Sequence, residues 1–587
     1  MKFFLSLLCL IPIGLAFAAE PEFPLTPDSK PQPGIAKGEL VKDSYTAPQD
    51  SVFPGTVREY QVYLPAGFDK TQPAAFMVFQ DGVIYQAPVV FDNLIAKKDI
   101  PPLVGIFIKP GVVPAAHDNA LPRFNRSYEY DSITDTYSRF LIDEFLPALE
   151  AKHGIKLNTD PNQAAISGNS SGGICAFMTA WHRPDRFRRV FTGVGTYVGI
   201  HGADQLPVLV RKIEPKPLRI FLQSGTGDNN LYCGDWWMAN QMMERSLTWA
   251  GYDVNHAWGE GGHNQKHASQ IFPDVLRWLW RDWQTDLVVK VNPKGESRWK
   301  GYEVVGDGEW KTAIVGMEGT DHILRSCADG TIFVKSAWNT EQLLQSKIGA
   351  AVEALNYSNQ LMQAFSTYKG DIIAAIPQKS GEAAALKNLR TNKLIGTVIF
   401  ETEGYRVNDM AFTHDGKCLL AIQHPEWPDK LAIVQNGKFE FLSLLSHPSN
   451  RLARITLSPD QSQVYVTHSN ASQILSFTLD DKGTVVAAQP FYELDNWDNQ
   501  NETGGLCVDS EGRLYVATSL GIQVCDQAGR VNFIIPTPKP PQDVCFGGKD
   551  LSELFIACGD TIYKRPTKVH GVVSGQQAPI KPAAPKL

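Results

Sequence analysis

The sequence contains no Cys-x-x-Cys pair. Eight of its cysteines lie beyond the first residues: Cys175, Cys233, Cys327, Cys418, Cys507, Cys525, Cys545 and Cys558. Most sit inside apolar strand or helix patterns, so they read as buried thiols, and their spacing assigns no pairing. Excess positive charge is also missing. Lys and Arg number 55 against 62 Asp and Glu, for a formal net charge of -7. The basic residues are scattered, and no nucleic-acid partner is expected. After the first residues no segment approaches the roughly 20 apolar residues a spanning helix needs, which excludes a later membrane span of that kind.

What the N-terminus does have is the pattern of an export signal over residues 1–18. Lys2 supplies the charge, Phe3 to Phe17 the apolar core, and Ala16-Phe17-Ala18 a small-x-small cleavage site. The mature chain is expected to begin near Ala19 and to be secreted or periplasmic. Cys9 has no small residues before it, which argues against a lipid-anchored cysteine. Residues 19–37 are rich in proline and polar groups and read as a linker. A chain of 587 residues is too long for one domain.

The chemistry centres on Ala164-Ala165-Ile166-Ser167-Gly168-Asn169-Ser170-Ser171-Gly172-Gly173. A short apolar run leads into Gly-x-Ser-x-Gly, and a run with helical spacing follows. In a strand–turn–helix context this motif holds Ser170 on a sharp corner with its hydroxyl exposed. Side chains at Gly168 or Gly172 would collide with the neighbouring strand and helix. The Ser171 N–H then lies at a helix N-terminus, suited to stabilising an oxyanion.

A serine needs a base, and the base needs an orienting carboxylate. Leu218 to Gln223 reads as a strand running into a Gly-rich turn that carries Asp228. Asp253 to Trp258 reads as a strand ending at Gly259-Glu260-Gly261-Gly262-His263, with an amphipathic helix beyond. Ser170, Asp228 and His263 therefore fall at strand-to-helix turns in the chain order of an α/β hydrolase, on one edge of a parallel sheet. Buried runs at Ala75–Phe79 and Val104–Ile108, alternating with helical patterns such as Tyr137 to Leu149, fit the same sheet.

Residues 38–285 resemble the esterase family that contains enterochelin (siderophore) esterases, feruloyl and acetylxylan esterases and esterase D. The resemblance is carried by Gln80-Asp81-Gly82, Asn125 to Tyr130, Gly168 to Gly173, Gly225 to Asp228 and Gly261-Gly262-His263. It implies Ser170 as nucleophile, Asp228 as acid and His263 as base, and a second oxyanion donor from the backbone of Asp81 or Gly82. Arg126 and Glu129 occupy the family's Arg-x-x-Glu positions, and a salt bridge bracing the loop is expected there. His267 is spaced to share a helix face with His263, but no third metal ligand is evident. Trp236 and Trp237 follow the acid turn and fit either a substrate wall or core packing.

From about Val288 to Val569 the pattern changes to short β runs separated by Gly/Asp turns. The turns at Ala328-Asp329-Gly330, His414-Asp415-Gly416, Pro459-Asp460-Gln461 and Ser510-Glu511-Gly512, with a weaker echo at Lys369-Gly370, recur every 40–50 residues or so, the period of four-stranded propeller blades. Six blades fit. The stretch Gly504 to Tyr563 resembles the gluconolactonase and luciferin-regenerating propellers. Lactonase members of that family hold one divalent metal with a Glu, two Asn and an Asp. Glu318 and Asn408 match two ligands, while Ala453-Arg454 and Thr503-Gly504-Gly505 stand where the others belong. Residues 570–587 read as a disordered tail.

The expected fold is an α/β-hydrolase domain followed by an all-β propeller. The expected protein is an exported serine esterase with no cofactor. It acts on a small-molecule or polysaccharide ester, and the propeller serves substrate binding. A metal-dependent lactonase in the propeller and a non-catalytic binding protein are the rivals.

Overall fold

The computed structural model describes residues 22–285 and 288–585, apart from 307, 318, 320–321, 337–340, 358–361, 379–382, 401–403, 427–428, 445–450, 470–471, 498–499 and 501–502. The export signal and Glu318 therefore lie outside the described residues. The chain divides into two compact units. The first holds residues up to Pro207, Lys216–Thr248 and Tyr252–Gly295; the second holds Val208–Pro215, Trp249–Gly251 and Glu296 onward.

The apolar runs of the first half become one mixed sheet. Its strands are β1 (Glu39–Thr46), β2 (Val57–Leu64), β3 (Pro73–Gln80), β4 (Leu103–Ile108), β5 (Val112–Val113), β6 (Arg123–Phe124), β7 (Lys156–Leu157), β8 (Ala164–Asn169), β9 (Arg189–Gly193), β10 (Arg219–Gly227) and, beyond a separate two-stranded hairpin, β11 (Asp253–Gly262). The spatial order is β11-β10-β9-β8-β3-β4-β2-β5-β6, with β1 on β2 and β7 on β3. From β4 through β11 the neighbours on this path run parallel. Parallel strands covered on both faces need continuous apolar runs, and β3, β4 and β8 are buried nearly end to end.

Side-chain alternation divides each strand between two helical layers. Met77 and Phe79 join a core with Phe91 and Leu94 of α1 (Ala87–Ala96). The same core takes in Phe272, Val275, Leu276 and Leu279 of the helix Lys266–Leu279. Each of these buried side chains contributes on the order of 1.5–3 kcal/mol. The helix that follows β8, Ser171–His182, packs on β3, β8 and β9 with the short helices Arg126–Tyr130 and Thr136–Arg139.

The second unit forms six four-stranded antiparallel sheets among the described residues, the six-bladed propeller expected from the turn period. The recurrent turns join the first two strands of their blades. Four of them place a glycine at positive φ: Gly330 (83°), Gly370 (82°), Gly416 (97°) and Gly512 (86°). One blade takes Lys311–Ile314 from the start of the unit and pairs it with Thr561–Pro566 near its end. That pairing closes the ring by completing one blade with strands from both ends of the propeller sequence.

The C-terminal tail departs from expectation. Described as far as residue 585, it lies along the blade turns rather than being disordered. Gly575 O accepts from Lys369 N–H at 3.2 Å, and Ser574 Oγ donates to Phe412 O at 2.7 Å. Further on, the Ile580 N–H donates to Pro459 O at 2.8 Å and Gln527 Nε2 donates to Ala583 O at 2.9 Å. A Pro- and Ala-rich segment has little to bury, but its main-chain groups are satisfied by those of the turns.

Candidate active site

Five of the parallel strands bring residues of interest to one edge of the sheet. The first residue beyond each is Asp81 after β3, Ser170 after β8, Val194 after β9, Asp228 after β10 and His263 after β11. Three of them hold backbone conformations that non-glycine residues avoid, with φ of 67° at Asp81, 59° at Ser170 and 39° at Val194. Such strain persists only where the surroundings enforce it, and it gathers at sites that need a group held in place.

The glycines around Ser170 make the corner possible. A Cβ on Gly168 would sit 2.1 Å from Gly172 O, and one on Gly172 would sit 2.9 Å from Asp81 Oδ2. Gly168→Ala is therefore expected to cost at least about 1–3 kcal/mol from overpacking. Thermal unfolding would register this as a clear drop in Tm, whereas an unchanged Tm would contradict the close approach. The glycines at the ends of β10 and β11 act similarly. Gly261 O lies 2.4 Å from a Cβ built on Gly225. With glycine at these close approaches, the Gly-rich segments expected as turns extend both strands and pair in parallel as far as Gly227 and Gly262.

Ser170, His263 and Asp228 come together as one hydrogen-bonded chain. Ser170 Oγ is 2.7 Å from His263 Nε2, and His263 Nδ1 is 2.6 Å from Asp228 Oδ1. A carboxylate only accepts, so His263 carries its proton on Nδ1 and Nε2 is left to accept from the serine. Asp228 also accepts from Ser224 Oγ at 2.6 Å and from the Asn229 N–H at 2.8 Å, and its side chain is fully buried. Sequence reasoning missed Ser224, though it stands in the same turn. Such a chain can move a proton from the hydroxyl to the imidazole and stabilise the cation that forms.

Of the two candidates for a second oxyanion donor, Gly82 is excluded. Its N–H donates to Ile108 O at 3.1 Å as the continuation of the β3–β4 pairing. Asp81 N–H has no hydrogen-bond acceptor among the described residues, and neither has Ser171 N–H at the start of its helix. The Asp81 carboxylate would repel an oxyanion were it not paired. Arg126 Nε and Nη2 hold its two oxygens at 2.7 and 2.8 Å. Burial is the largest single influence and works against the Arg126 charge, but the hydrogen bond and charge of Asp81, with Tyr130 and Asp131, together raise the guanidinium pKa.

This pairing corrects the expected Arg126–Glu129 bridge. Glu129 turns inward instead, onto Arg58 of β2 at 2.8 Å, and both side chains are wholly buried. A bidentate guanidinium in the interior outcompetes a neighbour one helical turn away.

The aromatic pair also divides. Trp236 is buried, meets the His263 ring edge-on with centroids 5.5 Å apart, and donates from Nε1 to Thr196 Oγ1 at 3.1 Å. Trp237 packs on Trp258. Thr196, which no sequence motif marked, lies 3.3 Å from Ser170 Oγ. His267 does not join His263 in a metal pair. Its Nδ1 is 3.1 Å from Gln223 Nε2, and its ring stacks on Phe23.

At the propeller the expected ligand positions among the described residues, which leave out Glu318, do not fit a divalent cation. Asn408 Nδ2 donates to Leu452 O and Ala453 O, at 3.2 and 2.6 Å. Asp409 and Asp543, both fully buried, face the Arg325 guanidinium and also accept from the Ile455 and Leu324 N–H groups. Burial pushes the Asp543 carboxyl up to about 6, and Arg325 and Arg454 work against that rise. At Gly504 and Gly505 a side chain would strike Gln542 O or Asp543. Arginine thus supplies the positive charge that buried carboxylates require.

The fold and this arrangement define a two-part protein, an esterase-like α/β unit followed by a six-bladed propeller. Residues 51–287 match the family described as "Putative esterase", and residues 342–559 match the "SMP-30/Gluconolactonase/LRE-like region". Each family model therefore matches one part of the chain and less than half of its length. It is 30% identical over 152 residues to the iron(III) enterobactin esterase of Dickeya dadantii, covering 23% of this chain and 33% of that protein. It is 30% identical over 126 residues to rabbit (Oryctolagus cuniculus) regucalcin, covering 17% of this chain and 42% of that protein. The matched spans thus cover less than half the length of either relative. The enterobactin esterase structure from Shigella flexneri aligns at 19% identity over 44% of this chain and 64% of that one, with a TM-score of 0.34. A gluconolactonase from Xanthomonas campestris aligns at 17% identity over 45% and 92%, with a TM-score of 0.38.

Proposed function

We propose that the protein is an exported serine esterase that hydrolyses carboxylic esters at Ser170. The observation that carries this reading is the unbroken hydrogen-bonded chain from Ser170 Oγ through His263 to buried Asp228. Ser170 attacks the ester carbonyl while His263 Nε2 takes its proton. The N–H groups of Ser171 and Asp81 stabilise the oxyanion. His263 returns the proton to the leaving alcohol, water then attacks the acyl-serine with His263 again as base, and Ser170 is regenerated. Asp228 keeps the imidazole in the required tautomer throughout.

Substrates are proposed to be siderophore-type esters or acyl and feruloyl esters of carbohydrates. The match to the esterase family and the likeness to an enterobactin esterase support that class. The propeller is proposed to bind the substrate. Its match to the gluconolactonase-like region favours a second reading, a metal-dependent lactonase, and Ala453-Arg454 and Gly504-Gly505 at expected ligand positions, with Arg325 paired to the nearby buried carboxylates, weigh against it. Export rests on the first eighteen residues.

The test is hydrolysis of p-nitrophenyl acetate by the full chain in the presence and absence of EDTA. The expected result is activity that EDTA leaves unchanged. Hydrolysis abolished by EDTA and indifferent to loss of Ser170 would favour the lactonase reading.

A further inference from the structure

The loop after β9 is held in an unusual way. Val194 is β-branched yet has φ of 39°, and its N–H donates to Gln223 O at 2.7 Å. Thr196 N–H donates to Ser170 O at 3.2 Å. From the other side, the helix Trp236–Ala250 clamps the loop. Asn240 Nδ2 donates to Gly195 O at 2.9 Å, and Trp236 Nε1 donates to Thr196 Oγ1 at 3.1 Å. Thr196, Asn240 and Trp236 are all buried. A strained residue, two backbone bonds and two side chains therefore converge on placing one hydroxyl 3.3 Å from Ser170 Oγ.

The direction of the hydrogen bonds follows from the two ends of the chain. An indole N–H can only donate, so Thr196 Oγ1 accepts from Trp236 and keeps its own hydrogen to give. Its remaining side-chain partner is Ser170 Oγ. At the far end the Asp228 carboxylate can only accept, which fixes the His263 proton on Nδ1 and leaves Nε2 to accept from Ser170. The order is Trp236 N–H to Thr196 O–H to Ser170 O–H to His263, and on to Asp228.

We infer that Thr196 is a positioning residue for the hydrolysis, its hydroxyl donating to Ser170 Oγ so that the serine hydrogen points at His263 and one lone pair stays open to the ester carbonyl. The inference rests on the serine-esterase reading above. Trp236 acts one step further back, by orienting Thr196. No proton leaves Thr196 during the reaction.

The experiment compares Thr196→Val, Thr196→Ser, Trp236→Phe and the Thr196→Val/Trp236→Phe double variant in the full chain, with Ser170→Ala as reference. Each is followed by kcat and KM on p-nitrophenyl acetate and by the rate of phosphonylation with a fluorophosphonate. Valine keeps the shape of threonine and loses only the hydroxyl. Thr196→Val is expected to lower kcat and the phosphonylation rate about 10–100-fold, with KM within a fewfold of wild type, as loss of one aligned hydrogen bond to a reacting atom would. Thr196→Ser should recover most of the loss. Trp236→Phe should cost severalfold, and the double variant should be no worse than Thr196→Val alone, because both changes break the same chain.

Should valine prevent folding, Trp236→Phe and Thr196→Ser carry the test, since both keep the 196 hydroxyl. Wild-type rates in every hydroxyl-lacking or indole-lacking variant that folds would overturn the inference. So would a loss that serine does not restore. If Ser170→Ala itself retained activity, the esterase reading would fail first, which separates the two.

Discussion

Ser170→Ala in the full chain is expected to lower kcat on a small activated ester by about 10⁶-fold, the loss seen when a triad nucleophile is removed. The reason is geometric. In the proposed reaction Ser170 Oγ, held on the strained corner 2.7 Å from His263 Nε2, is the attacking atom, and without it the covalent route closes. His263→Ala should cost about as much, and the double variant little more than either, because the two groups act as a unit. Steady-state kinetics under saturating ester check all three. Additive losses in the double variant would mean that the serine and histidine work independently.

Asp228→Asn is expected to cost about 10⁴-fold in kcat while leaving the fold intact. Its carboxylate is fully buried and accepts from His263 Nδ1, Ser224 Oγ and the Asn229 N–H. An amide in its place presents a donor where the site needs an acceptor. If that amide group faces His263, the imidazole proton is driven onto Nε2, where it can no longer take the serine hydrogen. KM should move little, because Asp228 acts through His263 and not on the ester. A loss below about tenfold would mean that the imidazole is oriented by something else.

The fold and the core of the site were legible because each rests on local chemistry. Gly168, Gly172, Gly225 and Gly261 mark close backbone approaches beside the C-terminal ends of β8, β10 and β11. Ser170, Asp228 and His263 could therefore be read from the turns that carry them. The propeller was legible for the same reason, since its blade turns repeat a positive-φ glycine.

What could not be read depends on contacts between distant segments. Arg126 and Glu129 look like partners at helical spacing, but Arg58 lies 71 residues before Glu129 and claims it. That frees Arg126 for Asp81. Thr196 carries no motif at all; it reaches Ser170 through a strained loop and a helix whose first turn begins 40 residues later. The tail has the composition of a disordered segment, yet the blade turns supply partners for its main chain, which composition cannot reveal. The two-residue strands β5 and β6 are too short to leave a periodic signal.

The most direct measurement is intact and peptide mass spectrometry after treating the full chain with a fluorophosphonate. The account predicts one label per chain, on the peptide containing Ser170, with ester hydrolysis lost in proportion to labelling. Hydrolysis that persists in fully labelled protein, or a label that accumulates at another residue as activity falls, would contradict it.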